Sequence, residues 1–425
     1  MFKSYFKKAA FIAFGTVAAF SLTSCDDDDN GGGSTSLTAK EREMRTVAQV
    51  YVNKTVLPTY KLLAEATGDL YNKLLAAKNK FVNDPNSLTQ AELDDICETF
   101  IDARAYYEES EAFLFGAATD FGIDPHIDTW PLDLHGLAME LTNKLHLEEM
   151  SGDEDAAIAF ASGKLGQELL GFHGIEFIIF RNGKNRTVSA LQNKEDHAVF
   201  KELNANVTGE EELIYATAVA GDLRDKCWQM EVAWDDNAPQ EHKDRIAELD
   251  LPTTVTGGRY SYGQNMLNTG NAGSSYATWQ EVMGTILISG CQNISTEVAY
   301  KKIGNPYGNG EEADPNYIES PYSQRSFYDF KDNIISIQNS LYGGRPEDRN
   351  ENSSIMSYLK KYNPDLAEKM ETDLNAAISA LEDCQNQLVG GFVNNPTDPL
   401  VGIAQDKIYT LDDDLQKAGE WFARQ

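Results

Sequence analysis

Apolar residues recur at helical intervals along nearly the whole chain. Between Ala39 and about Phe81 the positions Val47, Val50, Tyr51, Leu62, Leu63, Leu70 and Leu74 keep a helical spacing, and Pro58 predicts a kink. Ser87-Leu88-Thr89-Gln90-Ala91-Glu92 has the form of a helix start, and the helix it opens is predicted to run to about Phe115. A connecting segment from Asp120 to Asp133 holds Pro125, Trp130 and Pro131. Further helical patterns cover about 133–147, 154–181, 209–234, 239–248, 276–302, 324–342, 352–386 and 400–423. Strand-like alternation bounded by turn residues is nearly absent. The expected fold is all-α, built as packed helical bundles. Its largest predicted loop is the Gly/Asn/Ser/Tyr stretch Thr256–Ser275, and loops that long are often functional. A divide near Asp235–Pro252 separates two halves of comparable length, 39–237 and 238–425, without a repeat between them.

The first residues follow another pattern. Lys3, Lys7 and Lys8 precede an apolar run from Ala9 to Phe20, which ends at Leu22-Thr23-Ser24-Cys25. A basic start, a short apolar run and small residues before a cut describe a signal peptide over 1–24. The last four residues resemble the bacterial lipobox, which makes Cys25 the expected lipidation site. The apolar run is too short to span a bilayer comfortably. Asp26–Asp29 and Gly31-Gly32-Gly33-Ser34 then read as a flexible acidic tether over 25–38. Together these features predict an outer-membrane lipoprotein, on the periplasmic face or at the cell surface, held to the membrane through Cys25.

Charge narrows the function classes. The 425 residues carry 36 Lys+Arg against 67 Asp+Glu, a formal net charge of −31 that becomes −34 when the three leader lysines are removed. Such a chain does not suit nucleic acid, where affinity comes from Lys and Arg neutralising phosphates. It favours cations, including metals. Its 41% hydrophobic and 10% aromatic content excludes a disordered acidic tail. Beyond Cys25 the cysteines are Cys97, Cys227, Cys291 and Cys384, without C-x-x-C spacing, and they read as buried single thiols.

One segment stands out chemically. Gly166 to Arg181 contains Gly171-Phe172-His173-Gly174-Ile175-Glu176-Phe177-Ile178-Ile179-Phe180, apolar on almost every side, as a buried helix is. His173 and Glu176 are three apart and project from one face. A buried carboxylate needs a cation, a donor or a metal beside it, or it takes up a proton. Glycines at 166, 171 and 174 each cost about 1 kcal/mol relative to alanine in a helix interior, which points to close approach by another backbone or a ligand. The spacing alone is weak evidence, because a core pair that fixes helix packing has the same form. No His-Glu-x-x-His occurs, so the commonest zinc-protease motif is excluded.

Gly171-Phe172-His173-Gly174-Ile175-Glu176 matches the G-x-H-x-x-E motif of the imelysin-like proteins. Ser110–Gly116, Trp130-Pro131-Leu132-Asp133, Glu297–Gly304 and Ser323–Phe330 resemble that family's other segments in the same order, from about residue 40 to the end. The resemblance implies two four-helix-bundle domains with a site between them, and an association with bacterial iron uptake, often as exported or lipid-anchored proteins. It implies a metal site of His173 and Glu176, completed from other helices by Glu111, Glu297 and Asp329. Gly171, Ser326, Trp130 and Arg181 are the expected lining residues.

Each of these has a plainer reading: an exposed Glu111, a Glu297–Lys301 surface pair, a helix start at Ser326 and Asp329, a packed Trp130 corner, a helix end at Arg181. The expected cargo is iron or another divalent metal, free or within an iron-containing ligand, and the expected partners are iron-transport components. The competing reading is a zinc-dependent peptidase using His173 and Glu176, which needs a third ligand and an open coordination position. A surface lipoprotein that captures a macromolecule remains a third possibility.

Overall fold

Helix starts follow the capping chemistry written in the sequence. In the computed structural model the described residues are 37–425 except Thr256, so the signal peptide, Cys25 and most of the tether lie outside them. Thr38 opens α1 (Ala39–Val50): its hydroxyl accepts from the Glu41 amide at 3.2 Å, while the Glu41 carboxylate accepts from the Thr38 amide at 2.7 Å. The chain then widens into π turns at Tyr51–Val56 before α2 (Leu57–Asn83). Pro58 has no N–H to return to the carbonyl one α-turn back, so the disturbance expected there takes the form of this π stretch. Thr89 and Glu92 repeat the reciprocal cap at α3 (Gln90–Glu108).

The pattern over 154–181 is not one helix. It divides into α4 (Glu154–Lys164), a 3-10 turn at Gln167–Leu169 and α5 (Gly171–Ile179), which runs into a two-residue hairpin, β1 (Phe180–Arg181) with β2 (Lys184–Asn185). Then comes α6 (Gly209–Trp234). The run 279–307 is continuously helical but π-wound at Thr285–Gln292 and again at Glu297–Ile303. An irregular strap, 308–325, leads to α7 (Ser326–Tyr342). The pattern over 352–386 also divides, at Asn363 (φ −152°, ψ 68°), because the residue before Pro364 is pushed out of helical geometry. The last long helices are α8 (Pro364–Gln387) and α9 (Pro399–Phe422).

The fold is all-α. α2 lies against α3 and α6, and α6 also covers α4 and α5. α8 packs on both α7 and α9, with the run 279–307 along α9. Contacts of α7 with α3, and of the 3-10 turn Glu111–Phe113 with Thr285–Gln292, join the two sets of helices. Every residue of α5 is buried, as its all-round apolar character requires. Cys97, Cys227, Cys291 and Cys384 are buried and unpaired. The expected long loop at Thr256–Ser275 contains a short helix, Tyr262–Leu267. Among the described residues no helix is long and apolar enough to cross a membrane.

Candidate metal centre

The glycines of α5 explain its position. Gly171 has φ +66°, and a β-carbon there would collide with the backbone carbonyl of Ile127. A β-carbon on Gly174 would collide with the Tyr215 hydroxyl and lie 2.8 Å from the Leu169 carbonyl. Only glycine lets α5 begin against the 124–128 segment, and that contact sets Asp128 beside His173. Asp128 Oδ1 lies 3.1 Å from His173 Nε2, an ion-pair distance without hydrogen-bond alignment, so Nε2 has no hydrogen-bond partner. On the other side of the ring, Nδ1 is 3.7 Å from Glu176 Oε2.

Glu176 holds the strap. Its Oε1 accepts from the Tyr322 amide at 3.1 Å, the Ser323 amide at 2.7 Å and the Ser323 hydroxyl at 2.7 Å, while Oε2 is buried without a hydrogen bond. Three charge-assisted bonds to one oxygen tie residues 322–323 to α5. This places Glu319, a few residues earlier, inside the cluster. Its Oε1 receives Arg104 at 2.7 Å and Lys302 at 3.1 Å, and its Oε2 has no partner. Ser326 donates to the Glu319 carbonyl at 2.5 Å, and the Ser320 hydroxyl bonds Asp329 Oδ2.

Two permanent cations sit among these carboxylates. Arg104, on α3, pairs with Glu108, Asp128 and Glu319 and lies 3.8 Å from Asp329. Lys302, on the π turn Glu297–Ile303, lies 3.2 Å from both oxygens of Glu111 and 3.5 Å from Glu108, with its ammonium 5.2 Å from the centre of the Trp130 ring. All of these charged side chains are buried.

Protonation follows from burial and neighbours. Burial drives Glu319 up to about 7 and Asp329 up to about 7, against the pull of Lys302 and Arg104 respectively. Burial also raises Glu111 well above the carboxylate range, although Lys302 opposes it. Asp128 goes the other way: burial works to raise it, but Arg104 and His173 hold it below its ordinary value. Burial lowers His173, yet Asp128 and Glu176 outweigh it and raise the imidazole to about 9. The cluster therefore contains more carboxylates than permanent cations, and protons make up part of the difference.

Asp128, His173 and Glu319 each offer a ligand atom, all within 4.8 Å of one another, and Glu108, Glu111 and Asp128 form a second such group. Oxygen and imidazole donors suit iron and other divalent metals. His173 Nε2 and Glu319 Oε2 are buried without a hydrogen bond and could ligate such an ion, so the residues fit a metal.

Of the residues expected from sequence, His173, Glu176, Glu111 and Asp329 all belong to this cluster. Gly171 positions it, and Ser326 fixes Glu319 rather than capping α7. Trp130 borders it, with its ring 6.3 Å from that of His173 and 5.5 Å from that of Tyr317. Glu297 is not among these groupings. It lies 3.5 Å from Lys301 and lines a neighbouring cleft of about 680 Å³ with Tyr300, Tyr317 and Asp412. Arg181 points to the Phe177 carbonyl at 2.7 Å and to Glu195 at 3.0 Å. Sequence reasoning missed Arg104, Glu108, Asp128, Lys302 and Glu319. The strap did carry a signal in Gly308, Gly310, Pro315 and Pro321, which break helical periodicity over 308–325.

The Imelysin family model (peptidase M75) matches residues 56–417. This chain belongs to the Imelysin family. A relative, iron-regulated protein A of Synechococcus elongatus, is 24% identical over 369 residues, spanning 87% of this chain and 84% of its own. A crystal structure described as an iron-regulated protein A precursor, from Parabacteroides distasonis, superposes with a TM-score of 0.68 at 25% identity, covering 92% of this chain and 97% of that one. An imelysin-like protein from Psychrobacter arcticum shares the fold, with a TM-score of 0.54 at 13% identity over 89% and 93% of the two chains.

Proposed function

We propose that this imelysin is an exported, lipid-anchored component of iron uptake. It takes up iron or another divalent metal, or the metal of an iron-containing ligand, at the buried cluster. In this reading the cluster lies between helical bundles 39–237 and 238–425, Cys25 anchors the chain to the outer membrane, and iron-transport components are its partners. The observation that carries the metal assignment is the convergence of Asp128, His173 and Glu319 within 4.8 Å. Two relatives, each named as an iron-regulated protein A, support iron as the cargo. Because His173 is raised to about 9, uptake would release the imidazolium proton.

Anaerobic calorimetry with Fe²⁺ and Mn²⁺ tests this. His173→Ala should retain the native circular dichroism and lose at least tenfold in affinity, and unchanged binding of both ions would refute the site.

The peptidase reading gains from the structure the third donor that it lacked. Against it, Asp128, His173 and Glu319 are at most 4% exposed, and a scissile peptide has to reach the metal. Zinc-dependent proteolysis by the purified protein that disappears in Glu176→Gln would reverse the choice.

A further inference from the structure

Lys302 is an uncommon residue to find fully buried. It is 1% exposed, and its ammonium touches three carboxylates of separate origin: Glu108 at the end of α3, Glu111 on the following 3-10 turn, and Glu319 on the strap. Distances of 3.1–3.5 Å to all three place the charge where a bound cation would sit. Burying a lysine is costly unless its partners compensate, and an apolar side chain in a repacked core would serve stability as well or better. Two further observations bear on its role. Glu319 Oε2 is fully buried and has no partner, so the carboxylate set retains capacity for a cation that Lys302 does not use. The ammonium is also carried by π turns, Glu297–Ile303, whose neighbouring residues Glu297, Tyr300 and Lys301 line the 680 Å³ cleft.

A π turn holds one residue more than an α turn, and returning it to α winding rotates the residues that follow by about 100° around the helix axis. Such a register change gives Lys302 a route away from the carboxylates without unfolding the helix. The adjacent cleft, with Glu297 and Asp412 in its wall, gives the displaced ammonium a solvated, acidic place to go.

We infer that Glu108, Glu111 and Glu319 form a second cation site, sharing Glu319 with the first and filled in this structure by the tethered ammonium of Lys302, and that a divalent metal takes the site by displacing that side chain. Lys302 thus acts as an internal competitor: it occupies and orders the carboxylate set without metal, and it sets a threshold concentration for loading. The inference deepens the metal-binding reading above and rests on it.

Two measurements test it. Lys302→Met removes the competing charge at similar volume, and calorimetry with Mn²⁺ should show at least tenfold tighter binding than wild type. Unchanged or weaker affinity in a folded variant overturns the inference. Should the variant fail to fold, the full chain decides: acetylation of surface amines followed by peptide mass mapping should find Lys302 protected without Mn²⁺ and modified with it. Equal protection in both states overturns the inference as well. Metal binding that depends on His173 but leaves Lys302 protected would sink this inference alone and leave the metal-binding assignment standing.

Discussion

Gly171→Ala tests the link between backbone geometry and the proposed metal centre. At φ +66° an alanine sits in left-handed geometry, which costs about 1–2 kcal/mol. Its β-carbon would also collide with the carbonyl oxygen, carbonyl carbon and Cα of Ile127, all backbone atoms that no rotamer change can move aside. Relief needs a shift of α5 or of the 124–128 segment, and forced repacking of this kind costs about 1–3 kcal/mol more. The sum is about 2–5 kcal/mol. With a urea m-value of about 3 kcal/mol/M, the unfolding midpoint falls by about 0.7–1.7 M. Gly122→Ala is the matched control, because Gly122 has φ +62° and nothing within 4 Å of its would-be β-carbon. It isolates the conformational cost. Urea titrations followed by both circular dichroism and tryptophan fluorescence give the comparison, valid where the two transitions coincide. Ile127 precedes Asp128 and Gly171 lies two residues before His173, so Gly171→Ala should also weaken Mn²⁺ binding while Gly122→Ala leaves it intact. If the two variants agree in stability within about 0.5 kcal/mol, the close-approach argument is wrong.

Other expectations follow from the same cluster. Glu176→Gln keeps an acceptor for the Tyr322 and Ser323 amides but loses the charge, so the strap should become sensitive to limited proteolysis between 308 and 325, and protection equal to wild type would count against Glu176 as its anchor. Stability should decline as pH rises. Glu319 and Asp329 stand raised to about 7 from 4.5 and 3.8, so their contribution is complete below those ordinary values and is lost as pH climbs through 7. His173, raised from 6.5 to about 9, extends the loss from pH 6.5 through 9, and a urea midpoint that rises from pH 5 to pH 9 would contradict the assignment. Cys97, Cys227, Cys291 and Cys384 should alkylate only after unfolding, as read by mass mapping, since all four thiols are buried.

The fold was legible because its signal is local. Capping pairs such as Thr89 with Glu92, and apolar spacing along α2, are set by neighbours three or four residues away. Errors arose where a distant contact overrides the local pattern. The segment 154–181 keeps a helical apolar spacing, yet it breaks at Leu165 and begins again at Gly171, where the Ile127 backbone lies too close for any side chain. The site divides along the same line. His173 and Glu176 were visible as a polar pair inside an apolar helix. Asp128 and Glu319 sit in irregular segments, where no periodicity marks a side chain as inward, and Lys302 looks in sequence like the exposed Lys301 beside it. What separates the two lysines is helix winding, which composition does not record.

Stability does not account for the cluster. Burying several carboxylates with Arg104 and Lys302 incurs a large desolvation cost, and well-packed apolar residues would hold α3, α5 and α7 together at least as well. Arg104 remains charged at any relevant pH, so its pairs with Glu108 and Asp128 are fixed features of the site. Glu319, Asp329 and His173 are different, because all three change protonation within a few pH units of neutrality. Charge on them can be balanced by protons or by an arriving cation, but not fully by both. A divalent ion on Asp128, His173 and Glu319 would have to expel the imidazolium proton and compete with the protons near Glu319, so loading and proton release are coupled. The same arrangement makes the site responsive to acidity: under the proposed reading, it holds metal more tightly at pH 8 than at pH 6 and gives it up where protons are abundant.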